Sequence, residues 1–458
     1  MSDITTINPA TEQVLQHYPL MSQSEVETII QALHHTQQAW SRTSISERIK
    51  LLEKAGKLLR ENKQYHANII TAEMGKPITQ SIAEVEKCAN LFEYYAAEGE
   101  QFLEPELIKT QFYKSYRYFQ PLGIIFAIMP WNFPYWQVMR FAVPNLLLGN
   151  AGLLKHSPNT TGTALAMEQL FIDAGFPKDL FRSLVIDVDL APFIIKHARI
   201  AGVTLTGSNR AGQSVAKEAG EALKKLVLEL GGSDPYVILA DADVERAAEK
   251  CITSRLGINA GQSCISAKRL IVVEKIRKEF EALIIEKAKA YQMANPTDPN
   301  TKLGPMARKD LRDKLHEQVQ RSIAKGAQCA LGGTLPDQTG YFYPATVLLN
   351  ITVDSPAFHE EFFGPVVCVT AAKNDEEALQ FANQTDFGLG SAIFTRDLEK
   401  GEQLARDTLF AGTCAVNTFV ASDARLPFGG VKQSGYGREL SREGLREFAN
   451  IKTIVIEK

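Results

Sequence analysis

A cysteine near the middle of the chain has the sequence context of a nucleophile. Cys264 ends the segment 259–264, NAGQSC. The residues before it predict a tight loop that exposes the sulfur and directs backbone N–H groups at a neighbouring oxygen. A buried structural cysteine is the competing interpretation of any cysteine taken alone. The pattern therefore predicts covalent chemistry at an electrophilic carbon, with burial as the alternative.

Two further polar residues stand in segments of unusual composition. Glu229 lies in LELGG (228–232), where an apolar strand ends at two glycines, and Asn132 lies in PWNFP (130–134). Desolvation raises the pKa of a carboxyl group between leucines, which suits a general base. Two prolines fix the backbone around the asparagine, whose amide could donate to an oxyanion. The alternatives are an ion-paired glutamate and a rigid turn.

One turn between a strand and a helix could bind a phosphate. Thr206, Gly207 and Ser208 end the run GVTLTGS before a predicted helix near Asn209. Backbone N–H groups at such a helix start suit an anion, although a simple helix cap is the commoner outcome. The GxGxxG, P-loop and HExxH motifs are absent, and the six cysteines show no metal-ligand spacing, so we predict no metal.

Alternating strands and helices must position these residues. Short apolar runs recur before Gly, Asn or Pro turns and then helices, first from residue 123 to 229 and again from residue 236. This order predicts two doubly wound α/β domains that meet near residues 229–233. Capping boxes at Ser22 and Ser44 predict a helical N-terminal region. Residues 107–119 and 451–456 are predicted strands.

Composition and charge exclude several classes of protein. The chain has 458 residues with 50 Lys and Arg against 53 Asp and Glu, a formal charge of −3. A basic nucleic-acid binder is thereby excluded. Apolar runs fall short of the roughly 18 residues that a membrane span requires, and the N-terminus does not resemble a secretory signal. We therefore expect a cytoplasmic protein with reduced cysteines and no nucleic-acid or membrane partner.

Taken together, the motifs resemble those of the aldehyde dehydrogenase superfamily. PWNFP, LTGS, LELGG, NAGQSC, EEFFGP (360–365) and PFGGVKQSG (427–435) occur in that family's order and approximate spacing. The resemblance covers essentially the whole chain. It implies a dinucleotide-binding domain over residues 1–105 and 121–229, a catalytic domain over 230–440, and a small bridging β-extension of oligomerisation strands over 106–120 and 441–458.

The resemblance also implies catalytic roles. Cys264 would add to the aldehyde carbon, and Asn132 with the Cys264 backbone N–H would stabilise the resulting oxyanion. Glu229 would activate the water that hydrolyses the thioester. Because these three residues occur together, they argue against a catalytically silent structural relative. Glu229 also argues against a reductase that transfers the acyl group to coenzyme A.

For the cofactor, the resemblance implies NADP or NAD. Lys155 would lie near the adenosine ribose, Glu361 would bind the nicotinamide ribose, and Ser157 would also bind the cofactor. The other cofactor residues implied in this way are Trp131, Thr206, Gly207, Ser208 and Phe363. Relatives that select NAD often carry a glutamate three residues after the lysine, where this chain has Pro158. Since Lys155 and His156 are close by, we expect NADP to be accepted at least as well as NAD.

The substrate follows from a finer resemblance. KHSPN (155–159) and ASDAR (421–425) are similar to the bacterial succinate-semialdehyde dehydrogenase branch. Arg140 matches an arginine that binds the substrate carboxylate there, and a surface ion pair is its alternative. A second such arginine is replaced by Ile258, for which Ser422 and Arg425 would compensate. An uncharged aliphatic aldehyde remains the alternative substrate.

The same resemblance predicts self-association. The predicted strands at 107–119 and 451–456 resemble the family's bridging extension, which pairs across subunits. Exposed aromatic strands make poor monomer surfaces. We therefore expect a homodimer or a homotetramer, between which the sequence does not choose.

Overall fold

The computed structural model describes residues 3–458. Both predicted capping boxes are present, since the Ser22 and Ser44 hydroxyls each accept from the backbone N–H three residues on. The elements up to residue 229 are β1 (Asp3–Ile7), β2 (Val14–Pro19), α1 (Gln23–Trp40), α2 (Ile45–Glu61), α3 (Lys63–Met74), α4 (Ile78–Leu103), β3 (Glu106–Leu107), β4 (Lys114–Pro121), β5 (Ile124–Met129), α5 (Trp136–Leu148), β6 (Ala151–His156), α6 (Thr161–Ala174), β7 (Phe181–Ser183), α7 (Ala191–Lys196), β8 (Ile200–Thr206), α8 (Asn209–Glu221) and β9 (Lys225–Glu229).

The second part of the chain repeats the alternation of strands and helices. Its elements are β10 (Pro235–Ile238), α9 (Val244–Ile252), β11 (Arg269–Val273), α10 (Arg277–Ala288), α11 (Lys309–Ala324), β12 (Gln328–Leu331), β13 (Thr346–Leu349), α12 (Pro356–His359), β14 (Val366–Ala372), α13 (Asp375–Asn383), β15 (Gly390–Phe394), α14 (Leu398–Asp407), β16 (Thr413–Val416), β17 (Gly435–Tyr436), α15 (Ser441–Glu447) and β18 (Ala449–Ile456).

Two large sheets, both mainly parallel, form the framework. The first has the order β17-β9-β8-β5-β6-β7 and the second the order β12-β13-β14-β11-β10-β15-β16. Only β17 in the first and β12 in the second run antiparallel to their neighbours. The central strands are buried almost throughout, as expected for parallel sheets covered on both faces. The predicted α/β class with two doubly wound sheets is confirmed.

The chain crosses from one sheet to the other at the predicted motifs. β9 ends at Glu229 in the first sheet, and β10 begins at Pro235 in the second. The chain later returns, because Gly435 in β17 pairs with Glu229 in β9. Residues after β5, β8 and β9 all emerge at the carboxyl edge of the first sheet, since carboxyl ends of parallel strands share an edge. PWNFP, TGS and LGG are therefore neighbours.

A third, small sheet has the order β18-β4-β3. The strands predicted within residues 106–120 and 441–458 are wrong in part. Residues 108–113 lie between β3 and β4, where the Thr110 hydroxyl accepts from Phe112 N and bonds the Ser115 hydroxyl in a local turn. Residues 441–447 form α15, because the Ser441 hydroxyl accepts from the Glu443 N–H at the helix start and Leu445 is buried. The strand begins at Ala449.

Candidate active site

Cys264 lies in a strained loop before β11. The three residues Asn259, Ala260 and Gly261 all have left-handed backbone, with φ of 51°, 51° and 71°. A Cβ at Gly261 would lie 2.3 Å from the Gly364 carbonyl oxygen, so only glycine allows this close approach. The side chain of Cys264 is partly exposed, as the loop predicted. A loop held in this conformation against its intrinsic preference is typical of functional sites.

Two cavities meet at Cys264. The first, of about 280 Å³, runs between α4, α5 and the cysteine loop, and we call it the substrate cavity. The second, of about 510 Å³, opens between the two large sheets and is called the cofactor cleft here. Cys264 and Gln137 line both. The sulfur can therefore contact ligands from two sides.

Asn132 is tied to the cysteine loop. Its Nδ2 donates to the Gln262 carbonyl oxygen over 3.2 Å, and Asn259 Nδ2 donates to the Asn132 carbonyl oxygen over 2.7 Å. A primary amide has two N–H groups, so one remains for a ligand. Asn132 lines the cofactor cleft beside Cys264. The predicted oxyanion donor and nucleophile are thus brought together.

Glu229 is held close by, behind the cavity walls. Its side chain is 2% exposed, and neither carboxyl oxygen has a hydrogen-bond partner among residues 3–458. Burial raises its pKa well above 4.5, as does the neighbouring Glu439, while Arg140 and Arg438 oppose the shift. Glu229 lines neither cavity, but Leu230 and Gly231 line the cofactor cleft. The carboxyl group is therefore a desolvated acid directly before the residues that line the cofactor cleft.

Arg140 forms a buried ion pair, so the surface ion pair considered from the sequence is wrong. Its guanidinium contacts the Glu439 carboxylate, and both side chains are almost fully buried. Nη2 donates to the Thr206 hydroxyl over 3.2 Å, and the guanidinium lies 4.8 Å from the Phe428 ring centroid. Arg140 nevertheless lines the substrate cavity with Cys264.

Of the two residues expected to compensate for Ile258, only Ser422 lies in the wall of the substrate cavity. Ser422 lines the substrate cavity, as does Ile258 itself. Arg425 is not brought there, because its side chain is 74% exposed and pairs with Asp423 at 2.6 Å. Asp423 lies two residues away and captures the guanidinium locally.

The cofactor cleft collects most of the predicted cofactor residues. The residues that line its wall as predicted are Trp131, Thr206, Gly207, Ser208, Glu361 and Phe363. The Trp131 and Phe363 rings meet edge to face with centroids 5.7 Å apart. The Ser208 hydroxyl caps α8 by accepting from the Ala211 N–H over 3.3 Å. The TGS turn is thus both a helix cap and part of the cleft, so the two interpretations are compatible.

Lys155 and Ser157 lie beside this cleft without lining it. Lys155 pairs with Ile128 of β5, close to the start of PWNFP, and burial lowers its pKa. His156 does not add positive charge, contrary to the sequence interpretation. Its Nδ1 accepts from the Ser157 N–H, its Nε2–H donates to the Pro134 carbonyl oxygen, and burial lowers its pKa to about 4. The imidazole is therefore neutral at pH 7.

Two lysines at the site were missed from the sequence. Lys268 Nζ donates to the Cys264 carbonyl oxygen over 2.6 Å and to Glu361 Oε1 over 2.8 Å, linking the nucleophile loop to the cleft. Lys87 of α4 lines the substrate cavity. The spacing of four residues between Cys264 and Lys268 was a weak signal, and Lys87 gave none beyond its place on a helix.

The cofactor cleft suits a nicotinamide dinucleotide. A Cβ at Gly231 would lie 2.5 Å from Glu361 Oε2, so glycine is needed for the carboxylate to occupy this wall. A carboxylate accepts from ribose hydroxyls, a helix start with free N–H groups suits a pyrophosphate, and an aromatic wall suits a planar ring. Within residues 3–458 no cluster of three or more His, Cys, Asp or Glu could hold a metal ion. No helix in the same range is long and apolar enough to cross a membrane.

The aldehyde dehydrogenase family model matches residues 1–454. The chain belongs to the aldehyde dehydrogenase family. It is 48% identical over 451 residues to the NAD(P)+ succinate semialdehyde dehydrogenase Sad of Escherichia coli, covering 98% of this chain and 97% of that one. It is 42% identical over 456 residues to the NADP+ succinate-semialdehyde dehydrogenase 1 of Mycobacterium tuberculosis, covering 99% of each.

Solved structures of the family have the same fold. The succinic semialdehyde dehydrogenase of Streptococcus pyogenes in complex with NADP+ superposes with a TM-score of 0.97 at 36% identity, covering 99% of this chain and 100% of that one. The resemblance inferred from the six ordered motifs is confirmed. The chain therefore belongs to a family of enzymes.

Proposed function

We propose that this aldehyde dehydrogenase oxidises succinate semialdehyde to succinate, with NADP or NAD as oxidant. The observation that carries the proposal is the position of Cys264, where a cavity with a buried arginine in its wall meets a cleft suited to a dinucleotide. The printed activities and cofactors of the relatives support both the substrate and the oxidant. The alternative, an uncharged aldehyde, draws support from the pairing of Arg140 with Glu439.

The first step is addition to the aldehyde. The Cys264 thiolate forms a bond to the carbonyl carbon, the C=O π bond breaks, and the oxygen takes the negative charge. Asn132 Nδ2 and the Cys264 backbone N–H stabilise that oxygen in the proposed role. Burial raises the pKa of the Cys264 thiol to about 11, while Lys268 and Arg140 oppose the shift. The resting group is therefore a thiol, and its proton passes to solvent water before the thiolate attacks.

A nicotinamide dinucleotide bound in the cofactor cleft would be the two-electron oxidant, because it would accept the hydride that leaves the carbon bonded to Cys264 Sγ. Trp131 and Phe363 would flank its ring, Glu361 would accept from the ribose hydroxyls, and Lys155 with Ser157 would lie near the adenosine ribose. Lys268 holds Glu361 in position by donating to Oε1. The protein contributes orientation and exclusion of water, and the acyl group stays on the Cys264 sulfur as a thioester.

Glu229 completes the cycle as a general base. In this role its carboxylate rotates from its buried place toward Cys264 and takes a proton from water. The water oxygen bonds to the acyl carbon, the C–S bond breaks, and succinate leaves with the thiol regenerated. An ionised carboxylate with a raised pKa is a stronger base than an ordinary one, which favours proton abstraction.

A kinetic panel tests the proposed substrate and cofactor. Succinate semialdehyde is compared with its methyl ester, which keeps the chain and removes the charge, each with NADP and with NAD. We expect kcat/KM to be at least about tenfold higher for the acid, as charge-assisted hydrogen bonds provide. We also expect NADP to be used at least as well as NAD. An ester oxidised as well as the acid would overturn the proposed substrate.

We also propose that the chain works as a homodimer or homotetramer in the cytoplasm. The small sheet supports the oligomer, because Leu107, Tyr118, Ile451 and Val455 expose 72%, 43%, 55% and 48% of their surface. Strands β18 and β3 form its edges. The six cysteines are all unpaired, as in a reducing compartment. Light scattering should give a mass of two or four chains, and a monomer would contradict the proposal.

A further inference from the structure

The charges around the substrate cavity are unevenly paired. Lys76 forms a buried ion pair with Glu84, and Arg140 forms one with Glu439. Lys87 lines the same cavity and forms no ion pair with any residue of 3–458. Because paired charges offset each other, the net positive charge of this wall resides on Lys87.

Ser422 and Lys87 both keep N–H or O–H groups that have no acceptor within residues 3–458. Lys87 Nζ donates to Ser422 Oγ over 2.8 Å, and Trp136 Nε1 donates to the same oxygen over 3.0 Å. A hydroxyl group has two lone pairs and one proton, so both lone pairs are used and the proton is left to donate. Lys87 retains two of its three N–H groups. Its ammonium lies 4.0 Å from the Trp136 ring centroid, which fixes its position.

We propose that Lys87, together with Ser422, binds the carboxylate at the far end of the aldehyde substrate. Ile258 leaves one wall of the cavity without the second arginine that the resemblance led us to expect, and Lys87 of α4 provides a positive charge instead. The inference rests on the proposed function, because an uncharged substrate would not use these donors. Cys264 then engages the aldehyde end within the same cavity.

The protonation state of Lys87 is compatible with this role. Burial lowers its pKa to about 8, so the amine is charged at pH 7. The groups that face it are Arg140, which also lowers the pKa, and Cys88, Glu84 and Asp423, which raise it. As the pH rises through 8, the free enzyme loses this charge. The KM for the acid substrate should then increase, while the KM for the methyl ester should not follow it.

The test compares Lys87→Met, Lys87→Arg and the wild type on succinate semialdehyde and its methyl ester. We expect Lys87→Met to lower the ratio of kcat/KM for acid over ester by about 10- to 100-fold, mainly through KM, as loss of a charged hydrogen bond does. Lys87→Arg keeps the charge and should restore the ratio to within about fivefold. The matched control is Lys63→Met, since Lys63 pairs with Glu86 outside the cavity.

The outcomes separate the inference from the proposed function. A wild type that prefers the acid, with a Lys87→Met ratio within threefold of it, would overturn the role of Lys87 alone. A wild type without preference for the acid would overturn the proposed substrate. If Lys87→Met does not fold, the wild-type pH profile decides: parallel KM values for acid and ester through pH 8 would refute the role, and a rise for the acid alone would support it.

Discussion

Replacing Glu229 by glutamine should separate the two halves of the reaction. Glu229 is 2% exposed, neither of its carboxyl oxygens has a hydrogen-bond partner among residues 3–458, and burial raises its pKa, so an uncharged amide of the same size suits this site. We therefore expect the variant to fold with nearly unchanged stability. In the proposed mechanism the addition of Cys264 to the aldehyde does not use Glu229 as a base, whereas hydrolysis of the thioester does.

The expected decrease in the turnover rate of Glu229→Gln follows from the loss of one general base. Such a group contributes about 10²- to 10⁴-fold to a rate, or about 2.7–5.4 kcal/mol of barrier. In a stopped-flow absorbance assay, Glu229→Gln should release one equivalent of reduced cofactor per active site in a burst, followed by turnover slowed by that factor. The wild-type rate should rise with pH as Glu229 ionises, and the variant should lose this dependence.

Two results would refute the assignment of Glu229. One is steady-state turnover of the variant within about threefold of the wild type, since no general base was then removed. The other is loss of the burst together with turnover, which would place Glu229 in the first half of the reaction. Glu229→Asp serves as the matched control, because it keeps a carboxylate and should retain part of the hydrolytic rate.

Three further outcomes are expected. Asn132→Ala should lower kcat about 10²- to 10³-fold in steady-state assays, because one oxyanion donor is lost, and Asn132→Asp should not rescue it. Arg140→Ala should lower the free energy of unfolding by about 3–5 kcal/mol in urea titrations, because Glu439 is left buried without its partner, and adding Glu439→Gln should recover much of that loss. Alkylation of Cys264 in the enzyme without cofactor should accelerate about tenfold per pH unit from pH 7 to 9, because burial raises the thiol pKa to about 11 and the thiolate fraction grows with pH. A rate independent of pH would show that the thiolate already predominates.

The parts of the site that lie in short, continuous sequence segments could be predicted from the sequence. Cys264, Asn132 and Glu229 each stand in a short segment where turn residues and strand ends dictate the local backbone. Alternation of strands and helices then brings Asn132 after β5 and Glu229 at the end of β9 to one edge of the first sheet, and Cys264 faces them from the loop before β11 of the second sheet. Local pattern and global topology agree on where these residues lie, and their catalytic roles stay predictions.

Pairings between distant segments could not be predicted. Glu439 contacts Arg140 because β17 brings the chain back to the first sheet, and no local sequence pattern predicts this pairing of β17 with β9. Lys87 carries only helical spacing, so its place in the cavity wall depends on how α4 packs. Arg425 was expected in the cavity, but a carboxylate two residues away binds it at the surface. Tertiary contacts decide the roles of such charged side chains.

The covalent state of Cys264 during turnover tests the proposed mechanism most directly. Glu229→Gln enzyme is mixed with succinate semialdehyde and NADP, quenched in acid within the burst, digested and measured by peptide mass spectrometry. We expect a succinyl group on the peptide that contains Cys264, in an amount equal to the reduced cofactor formed. Reduced cofactor without that adduct, or an adduct on one of the other five cysteines, would contradict the assignment of Cys264 as the nucleophile.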